Sequence, residues 1–222
     1  MFMVRSVPVA GWSSPNPLNF RPRLTTMIFL SIGVFFFGLG ETLILSAGIG
    51  VSPWMVLAQG LGIHFGTSIG LTTFLVSFVV LLAWIPLRQC PGIGTIFNTV
   101  IIAATIEFVL PLLPVLDNPA LQVLIVVAGI LLVGFGSGIY LVANLGPGTR
   151  DGLMTGLQRV TQLPIAWVRI SIEVTVVLSG WALGGTVGIG TVLYALGISY
   201  AVSMGLYLTA WLAGTKDNAP AA

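Results

Sequence analysis

Six runs of about 20 predominantly apolar residues, each long enough for a helix to cross a bilayer, take up most of this 222-residue chain. Only 6% of the residues are charged, whereas soluble domains carry roughly 25%. So few charges could not cover a water-exposed surface, and the chain is therefore predicted to be an all-α membrane protein. The six predicted transmembrane helices are residues 25–47, 68–87, 95–116, 120–143, 164–183 and 191–212.

Two segments between these runs, residues 48–67 and 144–163, are too polar or too short to be spans. Each begins with a Gly/Pro-rich turn and continues with about 11–14 helix-compatible residues, roughly half the thickness of a bilayer. Each could be an amphipathic helix lying at the membrane interface or a re-entrant, broken helix. The sequence favours neither over the other.

The chain repeats itself at a constant offset of 96 positions. The tetrapeptide GIGT at residues 92–95 recurs at 188–191, and the glycines of the first run recur in the fourth: Gly33, Gly38 and Gly40 against Gly129, Gly134 and Gly136. Turn glycines in one register are not expected from apolar composition alone. The sequence thus predicts four parts: an N-terminal tail (1–24), two membrane repeats (25–116 and 117–213) and a C-terminal tail (214–222).

Each repeat holds three spans, so the second copy is predicted to enter the membrane in the opposite orientation. The basic residues outside the spans are Arg5, Arg21, Arg23, Arg88, Arg150, Arg159 and Lys216, while connections 48–67, 112–119 and 184–190 have none. By the positive-inside rule both termini are predicted to be cytoplasmic, and the first 24 residues to form a mostly disordered tail. Two inverted three-helix repeats, each with a short re-entrant or interfacial helix, are typical of transporters.

Four charged residues fall inside the apolar runs: Glu41, Glu107, Arg169 and Glu173. A charge at the centre of a membrane helix costs at least about 2.5–3.5 kcal/mol, so each needs a partner, a proton or a water-filled cavity. Arg169 and Glu173 are four residues apart on one helix face; they are either a self-neutralising structural pair or part of a site. The four residues are predicted to bind substrate or couple protons.

Arg150 and Asp151 follow the turn GPGT (146–149) at the start of the second short helix. The free backbone N–H groups of a helix start attract anions, and Arg150 would add to that attraction. The two residues are predicted to flank a cytoplasmic entrance, the alternative being a solvated turn that Asp151 caps. Asn98 and Asn144, near span ends, are interpreted as caps or interhelical hydrogen-bonding residues.

No catalytic constellation is visible. The chain lacks a P-loop, a GxSxG motif and the Cys/His spacing of a metal site, and it has a single cysteine, Cys90. It is predicted not to be an enzyme and to hold neither a cofactor nor a metal. The net charge of +2 does not indicate nucleic-acid binding.

Three segments, GPGTRDGLMTGL (146–157), PIAWVRISIEV (164–174) and LGGTVGIGT (183–191), resemble the YczE/YyaS/YitT family of bacterial integral membrane proteins, most closely its YczE branch. The resemblance extends over residues 25–213 and is most specific in the second half. It implies a multi-pass protein of the bacterial inner membrane, of a kind described as a transporter without a defined substrate. It also implies signature positions at Arg150, Asp151, Gly152, Arg169, Glu173 and 188–191.

Two functions follow as hypotheses. The first is a secondary transporter or permease for an unknown small solute, with protons as a coupling ion. The alternative is a non-transporting membrane subunit or assembly factor of a larger complex, since the chain has almost no extramembrane part. The predicted partners are the lipid bilayer, the solute, and either further copies of the chain or another membrane protein.

Overall fold

The computed structural model describes residues 7–214, so Arg5 and residues 215–222 of the predicted tails lie outside it. This part of the chain forms eight α-helices and one 3-10 turn, without strands. The all-α prediction is confirmed for these residues. The helices are α1 (Leu24–Ser46), α2 (Pro53–Phe65), α3 (Ile69–Trp84), α4 (Ile93–Val109), α5 (Pro119–Ala143), α6 (Thr149–Thr161), α7 (Ile165–Ala182) and α8 (Ile189–Leu212), and the 3-10 turn Leu110–Leu112 extends α4.

Five of these helices, α1, α4 with its 3-10 extension, α5, α7 and α8, are long and apolar enough to cross a membrane. The remaining predicted span, residues 68–87, is shorter than expected. It ends at Trp84 and spans only 16 residues, about 24 Å at 1.5 Å per residue. Pro86 explains the early end, because proline cannot donate a helical hydrogen bond and disfavours helix before it. α3 is long enough to cross a membrane only when it is counted together with α2, and the two helices meet at a bend of 114°.

Side-chain and backbone caps fix where the helices begin. Asn118 precedes α5 and accepts hydrogen bonds from the N–H groups of Ala120 and Leu121 at 2.9 and 3.4 Å. The two GIGT turns use their threonines instead: the N–H of Gly92 donates to Thr95 Oγ1 at 3.2 Å, and the equivalent bond at Gly188 is 3.3 Å. The repeated tetrapeptide is thus a repeated helix start.

The two halves repeat one another helix by helix. Both α2 and α6 have 13 residues and begin 96 positions apart, at Pro53 and Thr149. The hydrogen bond from Gly94 N to Leu145 O (2.7 Å) has its counterpart from Gly190 N to Ile49 O (2.9 Å), with both partners shifted by 96. The sequence offset of 96 therefore also relates backbone conformation and contacts between the halves.

Glycines bring the first helices of the two halves into backbone contact at the centre of the bundle. A Cβ added to Gly40 would lie 2.6 Å from Gly129 O, and one added to Gly136 would lie 2.5 Å from Gly33 O. Inside lipid the hydrophobic effect does not drive helices together, so their association depends on van der Waals packing. Small residues allow that packing because they let the two backbones approach closely. The glycines of α1 and α5 therefore form the packing seam between the two halves.

The two short helices pack across the halves. α2 lies on α7, and α6 lies on α3, which is the same relation with the halves exchanged. One relation is not repeated. α3 packs against α4, whereas in the described residues their counterparts α7 and α8 do not pack side by side. α7 is the least buried of the five candidate spans.

The N-terminal segment is more ordered than predicted. Residues 7–23 cross one end of the bundle, where Ser13 Oγ donates to Val142 O at 2.6 Å and Asn144 Nδ2 donates to Ser14 O at 2.8 Å. Thr26 Oγ1, at the start of α1, donates a hydrogen bond to Trp12 O at 2.6 Å. A polar, proline-rich composition led to the prediction of disorder, but these side chains find backbone partners at the end of α5.

Candidate functional site

A cavity of about 240 Å³ lies between the two halves. All eight helices contribute residues to its walls, together with Ser52 and Gly148, the residues directly before α2 and α6. Equivalent positions of both halves face it. Four equivalent pairs, each 96 positions apart, are Trp54 and Arg150, Thr73 and Arg169, Ser77 and Glu173, and Asn98 and Tyr194. In three of them the first half contributes an uncharged residue and the second half a charged one. The second half therefore supplies all the charged side chains that line this cavity.

The turn before α6 directs that helix into the bundle. Asn144 ends α5 in the left-handed conformation at φ 53°, and Gly146 follows at φ 109°, which glycine adopts without steric cost. Thr95 Oγ1 donates to Pro147 O at 2.7 Å and Trp84 Nε1 donates to Thr149 O at 3.0 Å. The turn is thus held by α4 and α3, and the first turn of α6 faces the cavity.

Arg150 and Asp151, predicted at an entrance, both line the cavity. Asp151 does not cap α6, since that helix has no side-chain cap; its Oδ2 instead accepts from Tyr140 Oη at 3.1 Å.

Glu41 is fully buried in α1, directly behind the cavity wall. It accepts hydrogen bonds from Ser52 Oγ at 2.7 Å and from Tyr194 Oη at 3.2 Å. The nearest cation is Arg150, whose Nη1 lies 3.9 Å from Glu41 Oε1. The partner that a charge inside the membrane needs is therefore Arg150 from the other half of the chain.

Arg169 and Glu173 line the cavity from α7. They pair with each other, with 2.8 Å between Arg169 Nε and Glu173 Oε1. This is the i, i+4 pair that the spacing predicts. Because the pair faces the cavity and not a neighbouring helix, its charges are available to a solute as well as to each other.

Glu107 is the predicted site residue that the structure places elsewhere. It does not line the cavity; its side chain packs over Gly70 at the start of α3, where a Cβ on that glycine would lie 2.6 Å from Glu107 Cβ. At about 100° per residue, Glu107 is half a turn of the helix away from Asn98, which does face the cavity. The two residues therefore point to opposite sides of α4.

Several polar residues of the cavity were not predicted as site residues. Tyr140 and Tyr194 had no assigned role, and Asn98 was interpreted as a cap or interhelical residue. Asn144 is indeed the C-cap of α5, but the Asn98 side chain makes no hydrogen bond within residues 7–214. Nothing in the sequence marks Asn98, Tyr140 or Tyr194 as site residues, because each is uncharged and lies in an apolar run.

Trp54 stands opposite Arg150 across the cavity. The guanidinium carbon lies 5.4 Å from the centre of the Trp54 ring, within the range of a cation–π interaction. Trp54 Nε1 is buried and has no hydrogen-bond partner in the described residues.

Residues 7–214 contain no cluster of three His, Cys, Asp or Glu side chains that could hold a metal ion.

Comparison with known proteins gives a consistent picture. The profile of a family of unknown function, DUF6198, matches residues 24–205. The chain is 36% identical to an uncharacterised protein of Haemophilus influenzae, covering 94% of this chain and 95% of the relative. It is 33% identical to the uncharacterised membrane protein YczE of Bacillus subtilis, covering 77% and 80%, and 26% identical to YyaS of the same organism, covering 75% and 85%. No solved structure matches the chain with significance.

Proposed function

The chain belongs to the DUF6198 family of membrane proteins, which is of the YczE type, and from that premise we propose that it is a secondary transporter for a small solute. In this proposal the protein lies in the bacterial inner membrane with both termini in the cytoplasm. Its six membrane segments form two inverted repeats, and protons are the coupling ion. The resemblance to YczE and YyaS noted in the sequence is confirmed by these comparisons.

The observation that carries the proposal is the position of the cavity. It lies between the two halves and holds Arg150, Asp151, Arg169 and Glu173, with Glu41 behind its wall. Secondary transporters built from repeats bind their solute at the repeat interface, where the starts of broken helices meet. Charged residues inside a membrane are costly and are usually functional.

Burial along the short helices supports a re-entrant placement. The first turns of α2 and α6 line the cavity, whereas their last turns, with His64 and Arg159, are exposed. Every residue in the first turn of α2 is buried, whereas a helix lying flat on the membrane would be buried along one face only. Each short helix is thus proposed to enter from its own side of the membrane and to begin near the centre.

The basic residues support the orientation. Arg21 and Arg23 precede α1, Arg88 follows α3, and Arg159 lies on α6, which packs on α3. These positions share one end of the bundle, and the opposite end, with α2 and the start of α8, has no Lys or Arg in the described residues. The positive-inside rule assigns the basic end to the cytoplasm.

Proton-coupled flux in proteoliposomes tests this function. Vesicles loaded with a pH-sensitive dye are exposed to lactate, succinate, propylamine and glucose in turn, and the expected result is solute-dependent proton movement with at least one of them. Arg169→Ala and Glu173→Gln should abolish it, because both side chains face the solute. Arg159→Gln removes a charge from the exposed end of α6 and should leave the flux unchanged. Correctly inserted protein whose variants match the parent in every flux would contradict the proposal.

One observation favours the alternative of a non-transporting membrane subunit. α7 is held mainly by α2 and α6 and presents a row of exposed apolar residues: Trp167, Ile170, Val174, Leu178 and Trp181. Such a row contacts either lipid or a helix of a partner protein. Co-purification of a stoichiometric partner from mild detergent, lost when Ile170 and Val174 are replaced by Ser, would support the alternative. A homogeneous preparation of this chain alone that transports in liposomes would exclude it.

A further inference from the structure

Each carboxylate in or directly behind the cavity already accepts at least one side-chain hydrogen bond. Glu41 accepts from Ser52 and Tyr194. Asp151 accepts from Tyr140 at 3.1 Å, and Glu173 accepts from Arg169 Nε at 2.8 Å. Each carboxylate therefore has at least one donor of its own, and a cationic solute would have to compete with these donors.

The donors of the cavity are open in comparison. The guanidinium of Arg150 carries five N–H groups, yet within residues 7–214 it makes no hydrogen bond. Its contact with Glu41 Oε1 is 3.9 Å long, beyond hydrogen-bond distance, and its other contact is the Trp54 ring. A partly buried guanidinium without acceptors favours a ligand that supplies them.

Asn98 provides a second, independent open donor. Its side chain is only 9% exposed, lines the cavity and has no hydrogen-bond partner in the described residues. Its Nδ2 lies 3.8 Å from the position that a Cβ would take on Gly148, so the amide is next to the start of α6. Buried amides are nearly always hydrogen-bonded, and this one is aimed at the space that a ligand would fill.

The start of α6 adds backbone donors to the same place. Gly148 is the N-cap and has no side chain to accept from the helix. The N–H groups of Thr149, Arg150 and Asp151 have no acceptor in residues 7–214, because the first intrahelical bond is from Gly152 N to Gly148 O. Free N–H groups and the helix dipole together attract an anion.

We propose that Asn98, Arg150 and the first turn of α6 bind a small carboxylate, and that Glu41 takes up one proton when the carboxylate binds. This deepens the proposed function by naming the solute class. At about 30 Å³ per water molecule, the cavity of about 240 Å³ has room for roughly eight water-sized groups. Acetate, lactate and succinate fit that space.

The proton follows from the surroundings of Glu41. The groups that face this carboxylate are Arg150 from α6, Tyr194 from α8 and Ser52 from the segment before α2, and Arg150 is the cation among them. When the guanidinium turns toward a bound carboxylate, fully buried Glu41 loses its counter-charge. A buried carboxylate without a counter-charge takes up a proton, so a monocarboxylate such as lactate and one proton enter the site together and the net charge of the site stays the same.

Equilibrium binding to purified protein in nanodiscs tests the first part. Succinate and lactate should bind, whereas succinamide and propylamine should not. Arg150→Gln and Asn98→Ala should each weaken binding by at least about tenfold, and Arg150→Lys should weaken it less than Arg150→Gln because it keeps the charge but loses the planar fork. Arg159→Gln, the matched control on the same helix, should bind as the parent does. Preference for succinamide or propylamine, or unchanged binding in all three site variants, overturns the proposal.

Calorimetry in two buffers of different ionisation enthalpy tests the second part. Lactate binding at pH 7 should take up about one proton per site in the parent and about none in Glu41→Gln, which keeps the volume of the side chain and should still bind. Absence of proton uptake by the parent overturns the role of Glu41. Because both experiments measure binding, carboxylate binding without flux would reject the transporter function alone, and flux of a neutral or cationic solute without carboxylate binding would reject this inference alone.

Discussion

Two tyrosine hydroxyls hold two carboxylates in very different surroundings. Tyr194 donates to Glu41, which is completely buried, while Tyr140 donates to Asp151, which faces the open cavity. The two bonds have similar lengths, 3.2 and 3.1 Å. What differs is the access of water to the acceptor once the hydroxyl is removed.

That difference predicts unequal losses of stability. Tyr194→Phe removes one hydrogen-bond donor from Glu41, and water cannot reach this buried carboxylate to take its place, so the free energy of unfolding should fall by about 2 kcal/mol. Tyr140→Phe removes a donor from Asp151, which water in the cavity can reach, so the loss should be about 1 kcal/mol. Reversible unfolding by denaturant in mixed micelles measures both variants. Each removes one hydroxyl from one buried tyrosine, so each controls for the other. Equal losses, or a larger loss for Tyr140→Phe, would show that Glu41 does not depend on this hydroxyl.

The cost of a charge in an apolar run singled out Glu41, Arg169 and Glu173, but it also singled out Glu107, which does not line the cavity. Sequence alone could not predict which polar residues face the cavity, because that depends on how each helix is rotated in the bundle. Asn98 and Glu107 show the difficulty. They share α4, and only one of them faces the cavity. The helical period separates their faces, but it does not say which face is turned inward.

At the scale of elements, the apolar runs predicted the long helices closely and the Gly/Pro-rich turns predicted the two short ones. The length of α3 was overestimated, because the apolar run continues past Trp84 although the helix does not. The position of α7 could not be predicted either. Its sequence is as apolar as a span requires, yet only contacts with other helices decide how much of it is buried.

The glycine contact between α1 and α5 can be tested with a single methyl group. Gly40→Ala places a Cβ 2.6 Å from Gly129 O and 2.7 Å from Val133 Cγ2, so the helices must separate, and the free energy of unfolding should fall by about 1–3 kcal/mol. Gly197→Ala in α8 is the control, since its nearest neighbour would be Ile130 Cγ2 at 3.5 Å. That variant should be neutral or more stable by up to about 1 kcal/mol. A Gly40→Ala protein as stable as Gly197→Ala would mean that the contact is not a tight one.

At the scale of the whole molecule, the two halves share a scaffold but differ in one packing contact. α3 is closed against α4 through Gly70, which meets Ala103 and Glu107, while α7 stands apart from α8. In the proposed transporter, alternating access would move one repeat against the other, and the packing difference between the halves indicates where. A second state would therefore have α7 closed on α8 and α3 released from α4.

The side chains of the second half permit that closure. The positions equivalent to Gly70, Ala103 and Glu107, each 96 residues further on, are Ala166, Ser199 and Ser203. All three are small, so α7 could approach α8 as closely as small residues allow. Closure would also bring the Arg169 and Glu173 wall toward Ser199 and cover the cavity on that side.

A disulfide can trap the closed state. In a Cys90→Ser background, Ala166→Cys combined with Ser203→Cys should cross-link on oxidation, because closure would bring the two Cβ atoms within the roughly 3.5–4.5 Å that a disulfide requires. The cross-linked protein should lose solute flux and regain it on reduction. Trp167→Cys with Ser203→Cys is the matched control; Trp167 is exposed, is rotated by about 100° from Ala166 on the same helix, and should not cross-link within one chain. If the Ala166 and Ser203 pair never forms, with or without succinate, or if the cross-linked protein transports normally, exchange of the two halves is not how this molecule changes state.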